Sequence, residues 1–203
     1  MNNYLKNRKI LEDGHVYSRN MEHDACGVGL IASTEGKKSR NVVEYGINAL
    51  KAVFHRGAVD ADGKTGDGAG IHLEIPSDFF TEKIELTGHK HDGSEICIGM
   101  IFLPRNNYEA QENARTLVES ELTKSNFNIY GWRQVPVNTK VLGEKANFTR
   151  PEITQVLFKN NDKNLIGKKL ERKLYESRRK MEKEAIKNAL EGFYICSLKI
   201  GRA

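Results

Sequence analysis

Apolar residues along the chain fall in short runs, separated by polar breaks that glycine or proline marks. Val43, Ile47, Leu50 and Phe54 stand at i, i+4, i+7 and i+11, the spacing of one helix face. Ser39 or Asn41 can cap that helix, and His55-Arg56-Gly57 ends it with basic side chains and a glycine exit. A second helix is predicted over 107–124, with Ala110, Ala114, Leu117 and Val118 on one face, and a third, highly charged one over 165–190. Residues 27–33 read as a short buried strand carrying two glycines. Residues 71–75 alternate strictly and stop at Pro76, which reads as a half-buried strand. Ser77 to Phe80 opens a short helix or turn, and 96–103 is a strand halted at Pro104. Further strands are expected at 126–135, 153–158 and 193–198. Residues 1–25 are polar without a sustained period and read as a leader or arm. Irregular alternation of strands and helices, with antiparallel neighbours, predicts a layered α+β domain.

Composition narrows the function classes. The chain has 203 residues, enough for one domain with a core or for a piece of something larger. No apolar run approaches the roughly 18 residues of a membrane span, and the N-terminus lacks the apolar core of a secretory signal. A cytoplasmic protein that binds no membrane is expected. The net charge of +5 collects in 163–187, where Lys, Arg and Glu alternate. That pattern predicts a solvated helix with i,i+4 ion pairs rather than a nucleic-acid stripe. The three cysteines, Cys26, Cys97 and Cys196, are far apart and form no CxxC pair. This argues against a disulfide framework, a metal site or an iron–sulfur cluster within these residues. Cys97 and Cys196 lie in strand patterns and are expected to be buried structural thiols.

Cys26 is different, because it stands where the polar leader meets the first strand pattern. Scission of the Ala25–Cys26 bond makes it an N-terminal residue, with a nucleophilic thiol and a basic α-amine in one place. Gly27 gives the backbone beside the thiol freedom to adopt unusual angles. Arg56, in His55-Arg56-Gly57-Ala58, reads either as a planar fork for a carboxylate or as a basic helix end. The segment Thr65-Gly66-Asp67-Gly68-Ala69-Gly70 lacks the Gly-Lys-Ser/Thr of a phosphate loop and opens a strand, not a helix. It reads either as a tight turn that delivers backbone to an active-site wall or as an ordinary loop. Asp60, Asp62 and Asp67 do not have EF-hand spacing. His89 and His91 sit in a polar loop and are expected to face solvent.

The motifs Asp24-Ala25-Cys26-Gly27-Val28-Gly29, His55-Arg56-Gly57-Ala58 and Thr65-Gly66-Asp67-Gly68-Ala69-Gly70-Ile71, in this order, resemble the class II (N-terminal nucleophile) glutamine amidotransferase domain of the glutamate synthase large subunit. Pro76-Ser77-Asp78-Phe79-Phe80 and Phe193-Tyr194-Ile195-Cys196-Ser197-Leu198 are similar to that family too. The resemblance implies a propeptide at 1–25 and the N-terminal part of the amidotransferase domain at 26–203. It implies the four-layer αββα sandwich of N-terminal nucleophile aminohydrolases, here incomplete. Cys26 is implied to attack L-glutamine and release L-glutamate and ammonia, with Arg56, Gly27 and Asp67 shaping the substrate site and no metal involved. The family's oxyanion-hole Asn-Gly pair and its carboxylate-holding arginine are expected beyond residue 203, so an impaired fragment is expected. FMN, an iron–sulfur cluster, the remaining synthase domains and a small subunit are implied for the whole enzyme, with no cofactor in this segment. A different reading makes the chain a non-catalytic module that docks the rest of a split synthase through its charged helix.

Overall fold

The computed structural model describes residues 2–14, 27–54 and 57–200. The chain divides into two compact units, Met1–Ala58 and Val59–Ala203.

Among the described residues the first unit holds two α-helices. Helix α1 spans Asn2–Asp13, where the sequence pattern predicts only an arm. Leu, Lys, Arg and Glu are all good helix formers, and here their propensity acts without a clear apolar stripe. Helix α2 spans Arg40–Ala52 and stops short of Phe54, the last position of the predicted face, which is exposed. The Ser39 side chain caps it by accepting from the Asn41 amide at 3.2 Å, and Arg40 pairs with Glu44 one turn on. The buried strand expected at 27–33 is not seen: those residues pair with no strand among the described residues. Val28 and Leu30 are exposed. An apolar run becomes a strand only when a neighbour accepts its backbone hydrogen bonds, and none is described here.

The second unit is built on an antiparallel sheet of four strands in the order β2-β3-β1-β4. The strands are β1 (Ile96–Leu103), β2 (Phe127–Gln134), β3 (Glu152–Asn160) and β4 (Tyr194–Ile200). Helix α3 spans Ser77–Glu85, α4 spans Tyr108–Lys124, α5 spans Glu144–Thr149 and α6 spans Gly167–Lys187. The central strand β1 is almost wholly buried, which explains its uninterrupted apolar run. Gly99 stands at its middle because the neighbouring strands close in there. A Cβ at that position would lie 2.7 Å from Val156 Cγ1 and 2.9 Å from Leu198 Cδ1.

Helices α4 and α6 cover one face of the sheet. Leu170, Leu174, Ser177, Met181 and Ala185 of α6 are buried, and Ala114, Val118 and Leu122 of α4 face the same core. The outer face of α6 carries the expected ion pairs, Arg172–Glu176 at 2.9 Å and Arg178–Glu182 at 2.8 Å. A smaller core lies on the opposite sheet face, where Phe80 and Ile84 of α3 meet Ile98, Tyr130 and Leu157. The strand expected at 71–75 is an extended segment leading into α3; Ile75 is buried in the smaller core, but only Glu74 makes a bridge. The described residues thus form one sheet with helices on both faces, an α+β arrangement.

Two β-bulges correct the period-2 reading. In the β1–β4 ladder Met100 pairs with Ser197, while Ile101 pairs with Ile195. Cys196 is therefore the extra residue, and it is exposed rather than buried as expected. In the β2–β3 ladder Tyr130 is the extra residue; its ring lies in the smaller core, and the shift puts Trp132 on the same face as Phe127 and Ile129.

Candidate functional site

Of the four residues expected to form the site, Cys26 and Arg56 lie outside the described residues. Gly27 is exposed at the start of the extended segment in the first unit. Asp67 is exposed in the second unit, in the glycine loop. The geometry described is therefore that of the loop around Asp67.

Residues 59–66, just ahead of Asp67 to Gly70, form a tight hairpin-like turn. Val59 and Gly66 make an antiparallel bridge, and the Asp60 amide donates to the Thr65 carbonyl at 2.7 Å. Gly63, at φ +67°, turns the chain and donates to the Asp60 carbonyl at 2.9 Å. Asp62 is the hub. Its Oδ1 accepts from the Lys64 amide at 2.9 Å and from the Thr65 amide at 2.6 Å, and its Oδ2 accepts from the Thr65 hydroxyl. The Thr65 hydroxyl, followed by these amides, holds the Asp62 carboxyl down at about 2. Asp60 pairs with Lys145 at 2.7 Å. Asp60 and Asp62 are thus engaged by amides, a hydroxyl and a lysine. Asp67 follows Gly66 directly. Gly68 and Gly70 have open space where a Cβ would stand, and neither has a positive φ.

The lowered acidity of Asp62 carries a pH prediction. A carboxyl whose folded value lies below its ordinary 3.8 stabilises the fold above that value. The contribution fades as the pH falls toward about 2. Exchange protection of the Lys64 and Thr65 amides is expected to drop between about pH 4 and 2 while the fluorescence of Trp132 on β2 still reports a folded sheet. Asp62→Asn is expected to lose that protection at all pH values. Protection that survives in the variant would refute the role given to the carboxylate.

The other reactive side chains are accounted for structurally. Cys97 is fully buried on β1, and burial pushes its thiol far up, so it is inert. His89 is exposed and His91 half-buried, both with their rings edge-on to Tyr130 at 6.0 and 6.1 Å. Lys159 binds Asp92 of the same loop and raises no case for catalysis. A cavity of about 530 Å³ lies between α4 and α6, lined by Thr116, Glu121, Lys124, Met181, Glu184 and Asn188 among others. Neither Gly27 nor Asp67 is among its described lining residues.

Residues 26–201 match the family described as glutamine amidotransferases class-II. The chain belongs to the class II glutamine amidotransferases. It is 50% identical over 195 residues to the "Glutamate synthase [NADPH] large chain" of Azospirillum brasilense, covering 96% of this chain and 13% of that protein. It is 38% identical over 177 residues to the "Ferredoxin-dependent glutamate synthase 2" of a Synechocystis strain, covering 87% of this chain and 11% of that protein. The plant relative from Arabidopsis thaliana, "Ferredoxin-dependent glutamate synthase 1, chloroplastic/mitochondrial", is 37% identical over 179 residues. The chain thus spans about an eighth of the length of the first of these relatives. The antiparallel sheet and the helices packed on it are consistent with the α+β domain of this family. The turn at 59–66, with its seat on α5, was not legible beforehand: α5 has six residues and no apolar period.

Proposed function

We propose that the chain is the glutamine-hydrolysing part of a glutamate synthase, with Cys26 as its nucleophile. The observation that carries this reading is the family match, which begins at Cys26 itself and runs to residue 201. In this reading the Ala25–Cys26 bond is cut and residues 1–25 leave. The freed α-amine, with an ordinary value near 8, takes the thiol proton. Sγ attacks the side-chain carbonyl carbon of L-glutamine, and the amine returns the proton to the departing ammonia. The thioester that remains is hydrolysed by water, which releases L-glutamate and restores the thiol. Arg56, Gly27 and Asp67 shape the site around the substrate. The reaction is cytoplasmic, and the ammonia passes to the remaining synthase domains for glutamate formation.

An iron–sulfur cluster does not fit the thiols described. Cys97 is enclosed in the helix-covered core, whereas Cys196 is exposed at the β4 bulge, so the two cannot share a cluster. The FMN and iron–sulfur chemistry implied for the whole enzyme belongs, in this reading, to other parts of it.

Intact-mass measurement tests the first step. The mature protein is expected to begin at Cys26 and to release ammonia and glutamate from glutamine in equal amounts. Glutamine hydrolysis by a chain that keeps residues 1–25 would refute the N-terminal nucleophile.

A further inference from the structure

Helices α4 and α6 pack against each other and touch near Ser125, where Ser177 Oγ donates to Ser125 Oγ at 2.9 Å. Further along α6 the cavity of about 530 Å³ opens between them, within the size range of small-ligand pockets. Its end wall comes from the exit of α6. Past Lys187 the chain reverses at Ala189, whose φ is +49°, and the Leu190 amide donates to the Ala185 carbonyl at 3.0 Å. That turn folds Leu190 back into the lining, where it joins Leu117 and the buried Met181 as the apolar part. The lining also carries Glu121, Lys124 and Glu184. Only 14% of the Glu121 side chain is exposed. Its Oε1 accepts from Ser125 Oγ at 3.2 Å and lies 3.6 Å from Lys180 Nζ, while Oε2 has no partner among the described residues. Glu184 binds Lys187 at 2.5 Å, and that hydrogen bond, with the fields of Lys187, Lys183 and Lys124, holds its carboxyl below the ordinary range. Lys124 stands three residues from Glu121, a spacing at which opposite charges pair on a helix. Both carboxylates nevertheless take other lysines, and Lys124 makes no ion pair or hydrogen bond among the described residues. The cavity thus offers an uncommitted ammonium group and an uncommitted carboxylate oxygen, one helical turn apart, beside apolar side chains.

We propose that this cavity binds a small zwitterion with an aliphatic body, the class of a free amino acid. Lys124 takes the carboxylate, Glu121 Oε2 takes the ammonium group, and Leu117, Met181 and Leu190 cover the side chain. The lining selects against simpler charges. Glu121 and Glu184 repel a phosphate or a dicarboxylate without an amine, and Lys124 repels a diamine. The site lies wholly within the second unit and does not depend on the reaction proposed for Cys26.

The test titrates the full chain with L-leucine, and with isoamylamine and 4-methylpentanoate, which lack its carboxylate and its ammonium group in turn. Calorimetry gives the affinity, and amide chemical shifts give the place. L-Leucine is expected to saturate the protein with a Kd at or below about 10 mM, as a well-seated ligand of this size does. It is expected to move amides within 113–124 and 181–190. Each analogue is expected to bind at least about tenfold more weakly, since each loses one charge-assisted hydrogen bond. Lys124→Gln is expected to weaken L-leucine about tenfold and to leave Trp132 fluorescence unchanged, because Lys124 is exposed and ties nothing in the fold. Lys163→Gln removes an equal charge from an exposed lysine outside the lining and is expected to keep the wild-type affinity. Equal affinity for the three probes would overturn the proposal, and so would wild-type binding of L-leucine by Lys124→Gln. Absence of saturation, or shifts confined to other parts of the chain, would overturn it too.

Discussion

Cys26→Ala is expected to reduce glutamine hydrolysis to background, as nucleophile deletions do in enzymes with covalent intermediates. The reason lies in what the other two thiols cannot do. Cys97 is sealed in the core with its thiol pushed far up, so it has no thiolate to offer and no path to substrate. Cys196 reaches solvent, but its nitrogen is a peptide nitrogen inside β4 and cannot act as a base. Only Cys26 can gain a free amine by one scission. Cys26→Ser separates the two halves of this argument. It keeps the amine and the shape of the site but replaces the thiol with a hydroxyl, so turnover is expected to collapse while glutamine still binds. Binding is read as thermal stabilisation by the substrate, about 2.7 kcal/mol at a hundredfold excess over Kd. Activity that persists in Cys26→Ala would move the nucleophile elsewhere. Loss of substrate-induced stabilisation in Cys26→Ser would make Cys26 a structural residue.

How far the sequence foretold the structure depended on the range of the interactions involved. Strand β1 was legible to the residue, because an apolar run ending at Pro104 can be little else once it is central in a sheet. Helices α2, α4 and α6 were legible because a helix repeats its burial every turn, and ion pairs such as Arg172–Glu176 are local. The bulge at Cys196 was not legible. Alternation assumes an unbroken ladder, and the residue that breaks it is chosen by the partner strand. Nor was the pairing state of 27–33 and 71–75 legible, since a strand pattern does not name its neighbour. At the candidate site the glycine loop stood out by composition, but the tight turn lies just ahead of it, at 59–66, where composition alone did not place it. The seat of that turn on α5 did not stand out, because Asp60 and Lys145 meet only through tertiary structure. A glycine directly ahead of a short run that opens with glutamate was the one local hint of a helix start at 144.

Phe158→Ala is expected to destabilise the second unit by about 3–5 kcal/mol, the usual range for emptying an aromatic site in a packed core. Phe158 is fully buried on β3, opposite Cys97 of β1 on one side and Ile129 of β2 on the other. Its ring stands edge-on to Phe127, with centroids 5.2 Å apart, an arrangement that adds to the burial. It shares its core with Leu122 of α4 and with Leu170 and Leu174 of α6, so the cavity left by alanine is walled by three elements that cannot all move in. A domain of this size is stable by about 5–15 kcal/mol, so the loss is a large fraction of the whole. The readout is built in. Trp132 is the sole tryptophan, it packs against the same core, and its Nε1 donates to Glu119 of α4 at 2.6 Å. Its fluorescence therefore follows the separation of α4 from β2. Urea midpoints are expected to fall by about 1–3 M with an unchanged slope. Phe148→Ala, at a ring that is 80% exposed, is expected to shift stability by no more than about 0.5 kcal/mol. Equal midpoints for the two variants would mean that the sheet face under α4 and α6 is not the core that holds this unit together.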